Sequence, residues 1–118
     1  MEGSLQSLKQ GDIVWSKVHD RNGNAKVRPV VIITASDEII IDDSIATVAI
    51  TTTFAEPPPD YCVEIPWYRL GHRVTGLKRR SAAVCNWMVE IHPSDIEGRP
   101  IGMVPKKYLL DILNRITE

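Results

Sequence analysis

A run of basic side chains between residues 69 and 80 is the first feature of this sequence that could do chemistry. The segment, RLGHRVTGLKRR, includes His72 and no acidic residue. Its basic residues are Arg69, Arg73, Lys78, Arg79 and Arg80. Clustered guanidinium and ammonium groups attract polyanions such as nucleic acids. A solvated surface loop has the same composition, and charge alone does not separate these two interpretations.

The cysteines and histidines form no recognisable catalytic or metal-binding motif. Cys62 and Cys85 fit neither a disulfide framework nor a zinc site. We therefore expect two reduced, buried thiols. No group of Cys, His and Asp lies close enough in sequence to indicate a nucleophile. The sequence thus predicts neither a metal nor a cofactor.

Size and charge narrow the class of protein. The 118 residues fit a single domain over residues 1–118, with residues 1–10 as a loose polar extension. Fourteen basic and 15 acidic residues give a net charge of −1, whereas proteins that bind duplex DNA non-specifically are usually much more basic. No apolar run is long enough to span a membrane, and the first residues lack a secretory signal. We therefore expect a cytoplasmic protein with no membrane contact.

Short β-branched and alternating segments must position the basic side chains. They predict strands over residues 12–18, 28–34, 46–53, 61–65 and 81–89, and a shorter one at 102–104. Pro29 cannot donate to a ladder, so we expect it among the first residues of its strand. Residues 93–95 predict a short helical turn. Pro105 precedes a predicted amphipathic helix whose apolar face comprises Tyr108, Leu109, Ile112, Leu113 and Ile116. The pattern indicates a mainly β fold, a small barrel covered by a C-terminal α-helix.

Two of these segments together resemble the MazF/PemK family of type II toxins. Gly11–Trp15 (GDIVW), followed by a loop and Arg28–Thr34 (RPVVIIT), is similar to the family's first two strands. Val48–Thr51 resembles its third strand. The similarity continues through Leu77–Trp87 and Ile101–Val104, and covers roughly residues 11–116. It implies an SH3-like barrel of antiparallel strands that usually forms a homodimer.

The resemblance also implies an activity. Family members are metal-independent endoribonucleases that cleave single-stranded RNA and are inhibited by an antitoxin with an acidic C-terminal segment. Arg28 and Thr51 match the catalytic positions. In such cleavage the ribose 2′-hydroxyl attacks the adjacent phosphate, so guanidinium and hydroxyl donors would stabilise the charge that develops. His19 is a candidate proton carrier. The residues expected to contact RNA are Lys26, Thr52, Lys78, Arg79, Arg80 and Asn86.

Each of these residues also has a purely structural interpretation. Arg28 would then pair with a carboxylate at the barrel rim, and His19 would be a solvated loop residue. Thr51 would be one of three successive β-forming threonines, with a register uncertain by one residue. The tryptophans suit core or dimer packing better than base stacking; they are Trp15, Trp67 and Trp87.

The sequence departs from the family pattern at two places. The first loop, HDRNGNAKV, lacks the family's common Ser-Glu-Gln, and Asn86-Trp87-Met88 stands where many relatives carry a glutamine followed by a basic residue. An alternative function is a non-catalytic or gyrase-poison-like member of the same fold, acting as a protein-binding growth inhibitor. Relatives of that kind lack the Arg/Thr pair. A generic SH3-like peptide binder is a third interpretation, and the few, dispersed aromatic residues argue against it.

Overall fold

The described part of the chain folds as six antiparallel strands followed by a helix. The computed structural model describes residues 8–19, 22–40 and 43–116. Within these ranges the strands are β1 (Asp12–His19), β2 (Ala25–Ile32), β3 (Ile45–Thr51), β4 (Cys62–Ile65), β5 (Ser81–Ile91) and β6 (Ile96–Met103). Helix α1 spans Lys106–Ile116, and two short 3₁₀ turns span Ser36–Glu38 and Pro93–Asp95. The predicted mainly β fold with a C-terminal helix is confirmed.

The strands form one sheet in the order β4-β5-β3-β2-β1-β6, and every neighbouring pair is antiparallel. The edge strands are therefore β4 and β6. No ladder joins these two edges in the part of the chain that the structure describes, so the barrel-like sheet is open at that point.

Predicted and observed strands differ most at β2 and β6. Strand β2 begins at Ala25, three residues earlier than the apolar run suggested, because Ala25–Arg28 pair with β1. Strand β6 is much longer than the predicted 102–104. It begins at Ile96, includes Gly98 at φ +74°, and pairs with β1 at Trp15 and Ser16.

Pro29 does not lie among the first residues of its strand, and the prediction that it would is wrong. Pro29 is the fifth residue of β2, opposite Trp15 of β1. The β2–β3 ladder covers only Val30–Ile32 on β2 and stops one residue short of Pro29. A residue without an N–H is tolerated at the point where a ladder ends. Pro29 therefore marks the place where β2 and β3 stop pairing.

Apolar side chains fill both faces of the sheet. One face packs against α1 through Ile13, Val31, Val48, Ile50 and Ile112, all fully or almost fully buried. The other face has its own cluster, which includes Val14, Val30, Ile32, Ile45 and Ile91. This two-sided burial follows from the nearly continuous apolar composition of β2 and β3.

Residues 8–10 are not loose, contrary to expectation. Leu8 is 5% exposed and packs in the cluster on the face opposite α1. The backbone N–H of Lys9 donates to Asp12 Oδ2 at 2.9 Å, and the Gln10 side-chain amide donates to the Ile33 carbonyl at 2.8 Å. The remaining part of the expected extension, residues 1–7, lies outside the described residues.

Four of the five residues predicted for the apolar face of α1 pack in the cluster beneath it, whereas Leu113 is half-buried and is not part of that cluster. Ile112 is fully buried, and Tyr108, Leu109 and Ile116 pack around the same cluster. The Pro105 carbonyl accepts from the N–H groups of Tyr108 and Leu109 and so begins the helix. Nothing helical in the described ranges has the length and apolar character that a bilayer crossing requires.

Candidate functional site

A cleft of about 720 Å³ opens where β2 and β3 stop pairing. Residues 26–29 of β2 form one wall, and Ile50 and Thr52 form the facing wall. Residues from both faces of β2 line the cleft, because β3 no longer covers this end of the strand. The remaining lining residues are Trp15, Gly76, Leu77, Lys78, Arg79, Ser81 and Ile101.

The cleft is strongly cationic. Lys26, Arg28, Lys78 and Arg79 line it, and no Asp or Glu is among its described lining residues. In the described part of the chain none of these four side chains has a carboxylate oxygen within 4.0 Å, whereas Arg80 and Arg115 both do. Four basic side chains in one concave surface, with no acidic partner among the described residues, focus a positive field there.

The loop that carries Lys78 and Arg79 is fixed by hydrogen bonds within residues 66–77. His72 Nδ1 accepts from the backbone N–H groups of Val74 and Thr75 at 3.1 and 3.2 Å. The Thr75 hydroxyl donates to the Pro66 carbonyl at 2.8 Å and accepts from the Leu77 N–H at 3.1 Å. His72 therefore serves as a hydrogen-bond acceptor that shapes the loop.

Two glycines let this loop approach β6 closely. A Cβ at Gly76 would lie 2.1 Å from the Ile101 carbonyl oxygen, and Gly76 has a φ of +75°. A Cβ at Gly102 would lie 2.3 Å from the Thr75 backbone. The Met103 N–H donates to the Val74 carbonyl at 2.9 Å across the same contact. The basic segment is thus a docked loop whose end lines the cleft.

Arg28 lies on the ring of Trp87. Its guanidinium carbon is 5.3 Å from the ring centroid, within cation–π distance. Among the described residues no carboxylate pairs with Arg28, in contrast to the structural alternative of a rim arginine held by an acid. Arg28 is half-buried and lines the cleft.

Thr51 follows the same face of the sheet as Arg28. Val30 of β2 pairs with Ala49 of β3. Arg28 lies two residues from Val30, and Thr51 lies two residues from Ala49. Since side chains two residues apart in a strand point to the same face, Arg28 and Thr51 share one face of the sheet. The Thr51 hydroxyl donates to the Thr53 carbonyl and accepts from the Thr53 N–H, both at 3.1 Å. Thr52, not Thr51, is the threonine that lines the cleft.

Arg80 is placed differently from Arg79. Its Nε donates to Glu64 at 2.9 Å, its Nη2 pairs with Glu56, and its guanidinium lies 4.4 Å from the centroid of the Phe54 ring. Hydrogen bonds that Arg80 donates to Glu64, and to a lesser extent to Glu56, raise the pKa of Arg80. Arg80 does not line the cleft.

Two other predicted residues lie outside the cleft. His19 is exposed at the end of the β1–β2 hairpin, where it pairs with Ala25. That is three ladder positions from the Arg28–Ser16 pair, or roughly 10 Å at the usual rise of a strand. Asn86 is exposed on β5 beside Trp87.

Sequence reasoning missed the position of Trp15 in the cleft. Along β1 the exposed residues are Trp15, Lys17 and His19, while Ile13, Val14, Ser16 and Val18 are buried. Trp15 therefore lies on the same exposed face of β1 as Lys17 and His19. That alternation was visible in the sequence and is the signal that could have identified an exposed tryptophan.

The two cysteines are free and buried, as expected. Cys85 packs in the cluster beneath α1, while Cys62 packs with Ala82 and Val84 on the other face. Burial raises the pKa of Cys85 to about 11, although the positive charge of Arg115 opposes this effect. In the described ranges no three His, Cys, Asp or Glu side chains converge as metal ligands would.

Fold and cleft together define a small, mainly β protein with a basic cleft at an unpaired strand end. Residues 9–118 match the family described as PemK-like, MazF-like toxins of type II toxin–antitoxin systems. Because the match covers almost the whole sequence, the chain belongs to this family. A search of curated proteins found no match.

Solved structures agree on the fold. MazF from Deinococcus radiodurans superposes with a TM-score of 0.71 at 13% identity, over 92% of each chain. Mycobacterium tuberculosis toxin MazF-mt6 gives 0.66 at 22% identity, over 89% of this chain and 91% of that one. An endoribonuclease in complex with its cognate antitoxin, from a mycobacterial species, gives 0.66 at 13% identity, over 94% and 92%. At these identities the likeness shows a shared fold.

Proposed function

We propose that this chain is a toxin-type endoribonuclease that binds single-stranded RNA in the cleft and cleaves it without a metal ion. The observation that carries the proposal is the convergence of Lys26, Arg28, Lys78 and Arg79 on one cleft whose described lining includes no acid. Family membership and a solved neighbour that is an endoribonuclease support the same activity.

In the proposed reaction the RNA 2′-oxygen attacks the adjacent phosphorus as the P–O5′ bond breaks; the 2′-hydroxyl gives up its proton to solvent, and the leaving 5′-oxygen takes one from solvent. Arg28 would donate two hydrogen bonds to the oxygens that gain negative charge, since a guanidinium matches that geometry. The Thr51 hydroxyl would donate a third. Rotation about its C–O bond would free this proton from the Thr53 carbonyl, while the Thr53 N–H continues to hold the oxygen in place. Preorganised donors of this kind often supply a large part of catalysis.

The other cleft residues would bind the strand on either side of the scissile phosphate. Lys26, Lys78 and Arg79 would neutralise neighbouring phosphates, which makes affinity depend on salt. Trp15 offers an exposed aromatic surface in the same cleft, on which a base can stack. We assign no step to His19, because it lies outside the cleft, three ladder positions from the Arg28–Ser16 pair.

Inhibition by an antitoxin follows from the same charges. An acidic, partly apolar segment would fold onto the cationic cleft and exclude RNA. A solved neighbour of this chain is a toxin bound to its cognate antitoxin. We also propose a homodimer, since large apolar side chains remain exposed away from the cleft, among them Leu70 (74%) and Leu110 (51%). A cytoplasmic location is proposed from the family alone. Light scattering that gives a monomer at all concentrations would contradict the dimer.

The activity is tested by incubating a defined single-stranded RNA with the purified protein in excess EDTA and mapping the ends. We expect fragments with 2′,3′-cyclic phosphate and 5′-hydroxyl ends. Arg28→Ala should lower the rate at least about a hundredfold, the scale of losing one preorganised donor. Arg99→Ala, which removes an exposed arginine outside the cleft, is the matched control. A folded wild-type protein that stops cell growth without cutting RNA would instead favour the protein-binding growth inhibitor.

A further inference from the structure

We propose that Trp87 is a positioning residue that holds the Arg28 guanidinium in place for phosphate binding. This inference rests on the proposed function, because it assigns Trp87 a part in RNA cleavage. Its basis is the contact between the Arg28 guanidinium and the Trp87 ring, 5.3 Å from the centroid.

Trp87 is itself well anchored. The β3–β5 register shifts between Val48–Met88 and Ala49–Val84, which leaves three residues of β5 unpaired, and Trp87 is the last of these. This bulge re-aims the side chain, as bulges near functional sites often do. The ring packs against two buried clusters, one with Ala82 and Val84 and the other with Val30 and neighbouring residues. The Trp87 ring, which forms the platform beneath Arg28, is therefore held in place by buried core residues.

The type of contact suits a residue that must bind an anion. A carboxylate partner would occupy guanidinium N–H groups and neutralise the charge. A ring beneath the guanidinium face restricts the same side chain but leaves the five N–H donors at its edge free. Arg80 shows the opposite arrangement on the same protein, since it lies on Phe54 but also binds Glu64 and Glu56. Only Arg28 of these two lines the cleft.

The kinetic test substitutes Trp87 and keeps Arg28 unchanged. Trp87→Leu should lower kcat for RNA cleavage about tenfold, equivalent to about 1.4 kcal/mol, with less than about a threefold change in KM. Trp87→Phe should lower kcat only about threefold, because a phenyl ring also binds a cation, though less strongly than indole. If Trp87→Leu does not fold, Trp87→Phe carries the test with a loss of about threefold.

Phe54→Leu is the matched control. Phe54 lies beneath an arginine and packs against the same Ala82 and Val84 cluster as Trp87. A loss caused only by damage to that cluster would therefore appear in both variants. We expect Phe54→Leu to cleave like the wild type. Equal losses in Phe54→Leu and Trp87→Leu would overturn the inference, and so would a further tenfold loss from Trp87→Leu in an Arg28→Ala background.

A measurement without RNA separates this inference from the proposed function. In ¹⁵N-labelled protein the Arg28 Nε–H resonance, assigned by its loss in Arg28→Ala, should be displaced by the ring current and should shift in Trp87→Leu. An unshifted resonance overturns the contact even if the wild type cleaves RNA. A wild type that does not cleave RNA, together with the expected shift, overturns the proposed function and supports the platform.

Discussion

The Nε of Arg80 donates to a carboxylate oxygen of Glu64 at 2.9 Å. This contact separates two adjacent arginines that look identical in sequence. Arg79 lines the cationic cleft, while Arg80 is held outside it by Glu64 and Glu56. One residue of the pair is thus available to a polyanion, and the charge of the other is already compensated.

Removing these two charges should therefore have unequal effects on RNA binding. Arg79→Ala should weaken binding and reduce the slope of log K against log salt by about 0.7, the value for one phosphate contact on a single strand. Arg80→Ala should leave both quantities unchanged. Fluorescence anisotropy with a labelled RNA that lacks the attacking 2′-hydroxyls measures both without cleavage. Equal losses in the two variants would show that the cleft does not distinguish them.

Gly76 provides a test of how the basic loop is held. Gly76→Ala places a Cβ against the Ile101 carbonyl at φ +75°, while Gly98→Ala meets nothing within 4 Å at the nearly identical φ of +74°. Gly98→Ala should lower the free energy of unfolding by roughly 1–2 kcal/mol, the cost of a left-handed backbone for an L residue. Gly76→Ala should cost clearly more, because the clash is added to that strain.

Urea denaturation of both variants gives the comparison. Gly76→Ala should also weaken RNA binding, since the loop must shift away from β6 and carries Lys78 and Arg79 with it. Indistinguishable stabilities for the two alanine variants would mean that the contact with Ile101 does not hold the loop.

The strands and helix were largely predictable from local patterns. The β-branched runs of β2 and β3 and the apolar spacing of α1 gave the elements, because burial dictates those residue types. Strand β6 was underestimated, since its pairing with β1 compensates for Gly98 and Pro100 and no local pattern shows that partner. Tertiary pairing overrode a weak local propensity there.

The candidate site was predictable in kind but not in detail. The sequence indicated a basic segment, but which of its arginines faces the cleft depends on Glu64 and Glu56, which are 16 and 24 residues away from Arg80. The ring under Arg28 comes from β5, more than fifty residues along the chain, through a bulge that has no sequence signature. Such contacts depend on sheet order, which short patterns do not contain.

Cys85 should be nearly inert in the folded protein. Burial raises the pKa of its thiol from 9.0 to about 11, so at pH 8 its thiolate population is about a hundredfold lower than that of an unperturbed thiol. Iodoacetamide should therefore label Cys85 at least about a hundred times more slowly in buffer than in urea, as followed by mass spectrometry. Rapid labelling of the native protein would contradict the burial.

The same thiol predicts a dependence of stability on pH. Between pH 9 and about 11 the folded protein keeps the Cys85 proton while the unfolded chain loses it. The free energy of unfolding should therefore fall as pH rises through this window. Cys85→Ala should lack this part of the slope, although it starts from a lower stability because it leaves a small cavity. Equal slopes in the two proteins would mean that Cys85 titrates normally.

Thr51 and Thr52 can be separated by their side chains. Thr51 follows the face of Arg28, and Thr52 lines the cleft. If Thr51 donates to the transition state, Thr51→Val should lower kcat by roughly ten- to a hundredfold, the usual worth of a hydrogen bond to a charged group. Thr51→Ser should retain most activity, since it keeps the hydroxyl and the hydrogen bonds with Thr53. Thr52→Val should alter KM more than kcat. If Thr52→Val abolishes cleavage and Thr51→Val does not, the catalytic hydroxyl is one residue further along the chain and projects into the cleft.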